Sequence, residues 1–73
     1  MLRLWTIYKH PKDFPDSYVA RQFEVTPDQG ARPTASIVIA SSLEFLREQM
    51  MDMGLVKLAR SPEDDPVIVE TWL

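Results

Sequence analysis

The stretch from Thr34 to Gly54, TASIVIASSLEFLREQMMDMG, joins a strand to a helix and decides the fold class. Its first part, Thr34 to Ala40, is centred on Ile37-Val38-Ile39. A short, uncharged apolar run with β-branched residues is typical of a strand that is buried on both faces. A strand followed directly by a helix start predicts a mixed fold with a sheet and a helix in one layer each.

The helix is predicted from its cap and from its apolar stripe. Ser41-Ser42-Leu43-Glu44 matches a capping box, in which the Ser41 hydroxyl accepts from the third helical amide and Glu44 reaches back. Gly54 adopts the left-handed backbone that ends many helices. Apolar residues follow at helical spacing, at Leu43, Leu46, Met50 and Met53. The opposite, solvent side is predicted to carry Glu44, Arg47 and Glu48.

Four further strands are predicted outward from this stretch, at Leu2–Tyr8, Tyr18–Val25, Leu55–Arg60 and Val67–Leu73. Proline-rich loops separate them, at Lys9–Asp16, Thr26–Pro33 and Ser61–Pro66. We therefore predict one α+β domain over residues 1–73, in the order βββαββ. A single, mostly antiparallel sheet of four to five strands carries one helix on one face.

The directions of the strands are expected to bring three segments of the chain together. The helix is a crossover between the third and fourth strands, so these two are expected to run parallel. If the first three strands alternate in direction, the His10 loop, the helix start at Ser41 and Ser42, and the acidic loop 63–65 meet at one edge of the sheet. The charged residues of the chain are expected to concentrate there.

Composition excludes several classes of protein. The 73 residues include no cysteine and one histidine, which excludes disulfides and the usual structural zinc sites, and no cofactor is predicted. A net charge of −3 argues against a nucleic-acid partner. No apolar run approaches the ~20 residues of a membrane span, and the N-terminus lacks a secretory signal, so we predict no membrane association and a cytoplasmic location.

No catalytic constellation is predicted either. The serines lie outside any nucleophile-elbow sequence, and the two glycines, Gly30 and Gly54, do not form a phosphate-binding loop. An enzyme is therefore less expected than a binding protein, and no catalytic residue is assigned.

The turn after the first strand carries His10, Asp13 and Asp16 at a spacing of three. Imidazole and carboxylate groups are ligands for divalent cations and can bind or act on small molecules. This turn is the centre of our alternative hypothesis, a small-molecule or divalent-metal-binding domain. Carboxylates in proline-rich turns more often accept hydrogen bonds from nearby amides, and that turn-forming role is the preferred reading.

The surplus of large apolar residues points to a different function. In the first strand Leu2 and Leu4 face one way and Trp5 and Ile7 the other, and in the last strand Val67, Val69 and Leu73 are expected to oppose Ile68 and Trp72. One helix covers one face only, so the other is predicted either to be an exposed patch or to lie under loops. Exposed apolar patches larger than a few hundred Å² usually mark interfaces.

The preferred hypothesis is a non-enzymatic protein–protein interaction module, in particular a homodimer. It uses the sheet face around Trp5 and Trp72, with Tyr8 and Arg21 as further candidates, or an open strand edge. Base stacking on Trp5 and Tyr8 is the less favoured use of such aromatic residues, because the chain is acidic and has no RNA-binding motif.

Both ends of the chain resemble one group of proteins. The opening Leu4–Pro11, followed by Asp13, Pro15 and Asp16, and the ending Asp64–Leu73 are similar to short uncharacterised bacterial proteins, mainly alphaproteobacterial and some phage-associated. The middle, from Thr26 to Met53, matches in outline. The resemblance implies no activity, but it draws attention to the His10 turn and the final strand.

Overall fold

A computed structural model describes residues 2–58 and 66–73 of the chain. Its elements are β1 (Leu2–Lys9), β2 (Tyr18–Thr26), β3 (Gly30–Ala40), α1 (Leu43–Asp52), β4 (Lys57–Leu58) and β5 (Ile68–Trp72). The predicted α+β class and the order βββαββ are confirmed, with five strands in one sheet and one helix among the described residues.

The sheet has the strand order β3-β2-β1-β5-β4, and each neighbouring pair is antiparallel. β3 and β4 consequently run in the same direction, as predicted, but they lie at opposite edges of the sheet. Lys9, Tyr18 and Ala40 are neighbours in register. The His10 loop and the start of α1 therefore lie at the same end of the strands, as predicted, whereas the acidic loop 63–65 is outside the described residues.

Two strands differ from their predicted length by more than two residues. The predicted loop Thr26–Pro33 is a tight hairpin, because Gly30, at φ 68°, turns the chain back into β3 directly after residues 27–29. Pro33 fits within β3 because this strand is at the edge, where a missing amide donor is tolerated. β4 contains two residues where six were predicted, and residues 59–60 of that prediction lie outside the described part of the chain.

α1 begins one residue later than predicted. Its N-cap is Ser42, whose Oγ accepts a hydrogen bond from the amide of Phe45 at 3.4 Å. The assignment of Ser41 as the cap is wrong, because Ala40 is still paired with Tyr18 and Ser41 is needed for the bend into the helix. Glu44 pairs with Arg47 instead of reaching back to the cap. Gly54, at φ 78°, follows the helix as predicted.

The core lies between α1 and one face of the sheet. It consists of Trp5, Ile7, Ala20, Leu46, Met50 and Trp72. Leu46 and Met50 of the predicted helical stripe are fully buried, and Leu43 packs against them at the margin. Met53, the last residue of that stripe, is half exposed because the helix has already ended.

A bulge between β1 and β5 changes the alternation in the last strand. Glu70 lies opposite Ile7, but Ile68 rather than Val69 lies opposite Tyr8. Val69 consequently packs against the core under α1, and Ile68 shares the side of Tyr8. The predicted grouping of Val69 with Leu73, against Ile68 and Trp72, is therefore wrong, since one extra residue reverses the faces.

Candidate protein interface

The sheet face opposite α1 is here called the open face. The register places on it mainly apolar residues from all five strands and the residue after β5: Leu2, Leu4, Thr6, Tyr8, Val19, Arg21, Phe23, Val25, Ala31, Pro33, Ile37, Ile39, Leu58, Ile68, Thr71 and Leu73. The large apolar side chains Leu2, Ile37, Ile39, Leu58 and Leu73 are between 38% and 48% exposed. These exposed apolar side chains lie on β1, β3 and β4 and just after β5, whereas Thr6 and Val19 of the same face are buried.

Charge is distributed unevenly between the two faces. The strand acids Glu24 and Glu70 lie opposite Arg3 and Ile7, on the side of α1. Among the described strand residues, Arg21 is the only charged residue that the register places on the open face. A chain with a net charge of −3 thus presents one sheet face without a carboxylate of its own.

The loop between β1 and β2 supplies the counter-charge for Arg21. Asp13 Oδ2 lies 3.3 Å from Nη2 of Arg21. The two side chains line a groove of about 220 Å³ together with Tyr8, Pro11 and Val19. Of these residues, Val19 is fully buried. Partial burial raises the pKa of Tyr8, and the charge of Arg21 opposes that rise. Of the predicted site residues, Tyr8, Asp13 and Arg21 are therefore brought together.

His10 is directed away from this group. It adopts a left-handed backbone, at φ 49°, and donates its amide to the carbonyl of Ser17 at 2.9 Å. Its ring meets the ring of Tyr18 edge-on, with 5.3 Å between centroids, and Tyr18 packs against the core under α1. His10 thus contacts a residue of one face, while Asp13 pairs on the other.

The predicted metal site is not assembled. Asp16 is exposed in the same loop, and within residues 2–58 and 66–73 no three histidine, aspartate or glutamate residues are placed to hold a cation. His10, Asp13 and Asp16 therefore do not converge. The turns of this loop are closed by backbone hydrogen bonds, and Asp13 pairs with Arg21 rather than with a nearby amide. Pairing of this loop with residues 63–65 lies outside the described residues.

Trp5 and Trp72 are the clearest correction to the predicted interface. They are cross-strand partners that are 8% and 5% exposed, and both belong to the core beneath α1. An exposed patch was one of the two predicted possibilities, but the side of the sheet that carries the two tryptophans is covered by α1. Both faces of β1 are apolar, and the sequence pattern does not reveal which one the helix covers.

A buried polar network was missed by sequence reasoning. Glu70 is 4% exposed and accepts from Arg47 Nε at 3.1 Å, from Arg47 Nη2 at 2.8 Å and from Trp72 Nε1 at 2.6 Å. The hydrogen bond to Glu70 raises the pKa of Arg47, against the effect of desolvation. Arg47 was placed on the solvent side of the helix, whereas it reaches inward to the sheet. The available signal was a single acid within an apolar strand.

The edges of the sheet are poorly suited to adding another strand. In β3, Pro33 lacks an amide donor, and a register shift interrupts the pairing between Arg21 and Phe23. The Ser36 amide in this irregular segment donates to Thr34 Oγ1, and that hydroxyl donates to Gln22 Oε1 at 3.1 Å. β4, at the other edge, has two residues. Prolines, bulges and short strands are the features that keep edges from pairing.

Comparisons of the chain with protein-family models, curated proteins and solved structures gave no match. No helix within residues 2–58 or 66–73 has the length and apolar character needed to cross a bilayer.

Proposed function

We propose that this chain is a non-enzymatic protein–protein interaction module that forms a homodimer through its open face. The observation that carries the proposal is the mainly apolar sheet face, whose described strand residues carry no carboxylate, on a chain whose net charge is −3. Proteins rarely leave such a face in water, because burying apolar surface releases about 25 cal/mol per Å².

The face is large enough for an interface. Strands lie about 4.8 Å apart and rise about 3.3 Å per residue, so five strands of 2 to 11 residues cover on the order of 550 Å² in projection. Because side chains project from the sheet, the solvent-accessible area of the open face is larger than its projected area. A standard interface buries about 800 Å² on each partner, which is of the same order.

A second copy is the partner that suits this surface best. The face has one charge, Arg21, which is already paired with Asp13. An acidic or basic partner would therefore leave its own charges uncompensated against apolar side chains. Two uncharged faces complement each other, and a two-fold axis brings the same patch to both sides of the contact. Dimerisation would also stabilise a chain whose single core is small.

Stacking of faces is favoured over extension of the sheet. The edge at β3 is interrupted by Pro33 and by the register shift, so strand addition would leave amides unpaired. Two sheets that pack face to face lie about 10 Å apart and interdigitate their side chains. In that arrangement Leu2, Ile37 and Ile39 of one copy would enter the core of the dimer.

Solution mass measured by light scattering tests the proposal. At micromolar concentrations we expect about 17 kDa, twice the 8.4 kDa of the chain. Ile37→Lys places a charge on the open face and should return the mass to that of one chain. Met51→Lys is the matched control, because Met51 is also an exposed apolar residue, 57% accessible, but lies on α1. It should leave the dimer intact.

Far-ultraviolet circular dichroism should show that both variants remain folded. A wild-type mass of 8.4 kDa at every accessible concentration would overturn the homodimer. Equal loss of the dimer in both variants would also overturn it, since the open face would then have no special part in association.

A further inference from the structure

We propose that the ion pair between Asp13 and Arg21 is the specificity determinant of the open face. The loop carboxylate neutralises the one charge of the face, and this limits docking to an uncharged partner surface, namely a second copy. This inference rests on the proposed homodimer and deepens it by naming the residues that select the partner.

Arg21 occupies a central position in the interface. On the open face it lies beside Ile37 of β3 on one side and Thr6 of β1 on the other. Its side chain is 32% exposed, so a partner face laid over Ile37 would remove much of its remaining water. A guanidinium cannot lose its proton in a protein, and its charge must therefore be paired when it is covered.

Asp13 is held in place by the hydrogen bonds of its loop. The Phe14 amide donates to the Pro11 carbonyl at 2.9 Å, and the Ser17 amide donates to the Phe14 carbonyl at 3.2 Å. These turns fold the loop so that Asp13 reaches Arg21, eight positions along the chain. The position of the carboxylate is thus set by backbone geometry.

The ion pair contributes little to the single chain. The Asp13 side chain is 57% exposed, and pairs that are open to water stabilise a fold only weakly. Covering the pair by a second copy excludes water and strengthens the attraction. Loss of the carboxylate then leaves an uncompensated Arg21 charge under the partner face in each copy. The effect of Asp13 should therefore appear in association and be nearly absent from folding.

Sedimentation equilibrium of the full chain gives the dimer dissociation constant for each variant. We expect Asp13→Asn to raise this constant at least about 100-fold, as for one broken buried charge pair. Adding Arg21→Gln in the same chain removes the orphaned charge and should restore the constant to within about 10-fold of wild type. Asp16→Asn is the matched control, since it makes the same change of charge in the same loop, and it should stay within about 2-fold.

Urea unfolding of each variant separates association from stability. An Asp13→Asn dimer no weaker than that of Asp16→Asn would overturn the inference, and so would a double variant that dimerises no better than Asp13→Asn. In either case the proposed function would still be supported if the wild-type chain is a dimer and Ile37→Lys dissociates it. A wild-type chain that stays monomeric would overturn the proposed function as well.

Discussion

The guanidinium of Arg47 on α1 holds the carboxylate of Glu70 on β5, with 2.8 Å between Nη2 and Oε1. Glu70 is buried, and its second oxygen accepts from the indole of Trp72. The helix is thus joined to the sheet by a charge-assisted contact as well as by the packing of Leu46 and Met50. No buried side-chain nitrogen or oxygen in the described residues is left without a partner.

Glu70→Ala should destabilise the fold by about 2–3 kcal/mol, because it leaves the buried Trp72 indole without an acceptor and leaves Arg47 paired only with the exposed Glu44. Glu70→Gln retains an acceptor and should cost about half as much. Urea unfolding followed by tryptophan fluorescence measures both changes. Glu48→Ala, at an exposed helix position, is the control and should change stability by less than about 0.5 kcal/mol. Equal costs for all three substitutions would contradict this role for Glu70.

The N-cap of α1 predicts different stability losses for substitutions at two adjacent serines. Ser42→Ala should lower stability by about 1 kcal/mol, since it removes the acceptor of the Phe45 amide. Ser41→Ala should cost less than about 0.5 kcal/mol, because Ser41 forms the bend before the cap. Thermal unfolding of the two variants side by side gives the comparison. A larger loss at Ser41 would show that the helix begins one residue earlier.

We predict that ionisation of Tyr8 lowers the stability of the fold at alkaline pH. Its pKa is raised in the folded chain, mainly by burial, so the folded state holds the phenolic proton more tightly than the unfolded state. The corresponding stability is complete below the ordinary tyrosine pKa of about 10 and is lost as pH rises through the higher folded value. Tyr8→Phe should therefore show a flatter decline in urea midpoint above about pH 10. Parallel profiles for the two proteins would contradict this effect of Tyr8.

The left-handed backbone of His10 can be tested independently of its ring. His10→Val should destabilise the chain by about 1–2 kcal/mol more than His10→Gly, because β-branched residues rarely adopt a positive φ and glycine does so freely. Chemical denaturation of both variants measures the difference. If valine were tolerated as well as glycine, the turn would not require the backbone angle observed here.

Divalent cations should not stabilise the chain, because His10 and Asp13 are directed to opposite sides of the sheet. We expect the melting temperature to stay constant on addition of Ca²⁺, Mg²⁺, Mn²⁺ or Zn²⁺. A rise that disappears in His10→Ala would restore the metal-binding hypothesis through binding linkage.

Local signals predicted most of the fold. Aromatic and β-branched residues marked β1 and β5, and the helical stripe with Gly54 marked α1. The hairpin after Thr26 was missed because Arg32 and Pro33 read as a loop, whereas an edge strand tolerates both. The faces of β5 were misassigned at Val69 because a bulge depends on the partner strand, which a period-two pattern does not contain.

An exposed apolar sheet face was one of two predicted possibilities, but the side named for it, around Trp5 and Trp72, is the side that α1 covers. Trp5 and Ile7 alternate with Leu2, Leu4 and Tyr8, so both sides of β1 have bulky residues. Which face of β1 is buried depends on where α1 packs on the sheet. That position is set by contacts between residues that are distant in sequence. The same holds for Arg47 and Glu70, which are distant in sequence and meet only after the helix has packed.

The central position of β1 has a consequence for synthesis on the ribosome. β1 and β2 can pair as soon as Thr26 has emerged, but the other side of β1 waits for β5, where Trp72 lies beside Trp5. Until residues 68–72 leave the exit tunnel, Trp5 and Ile7 lack the strand that completes their surroundings. The first tryptophan to be made thus lies beside the last, and the sheet around it is complete only after β5 has joined.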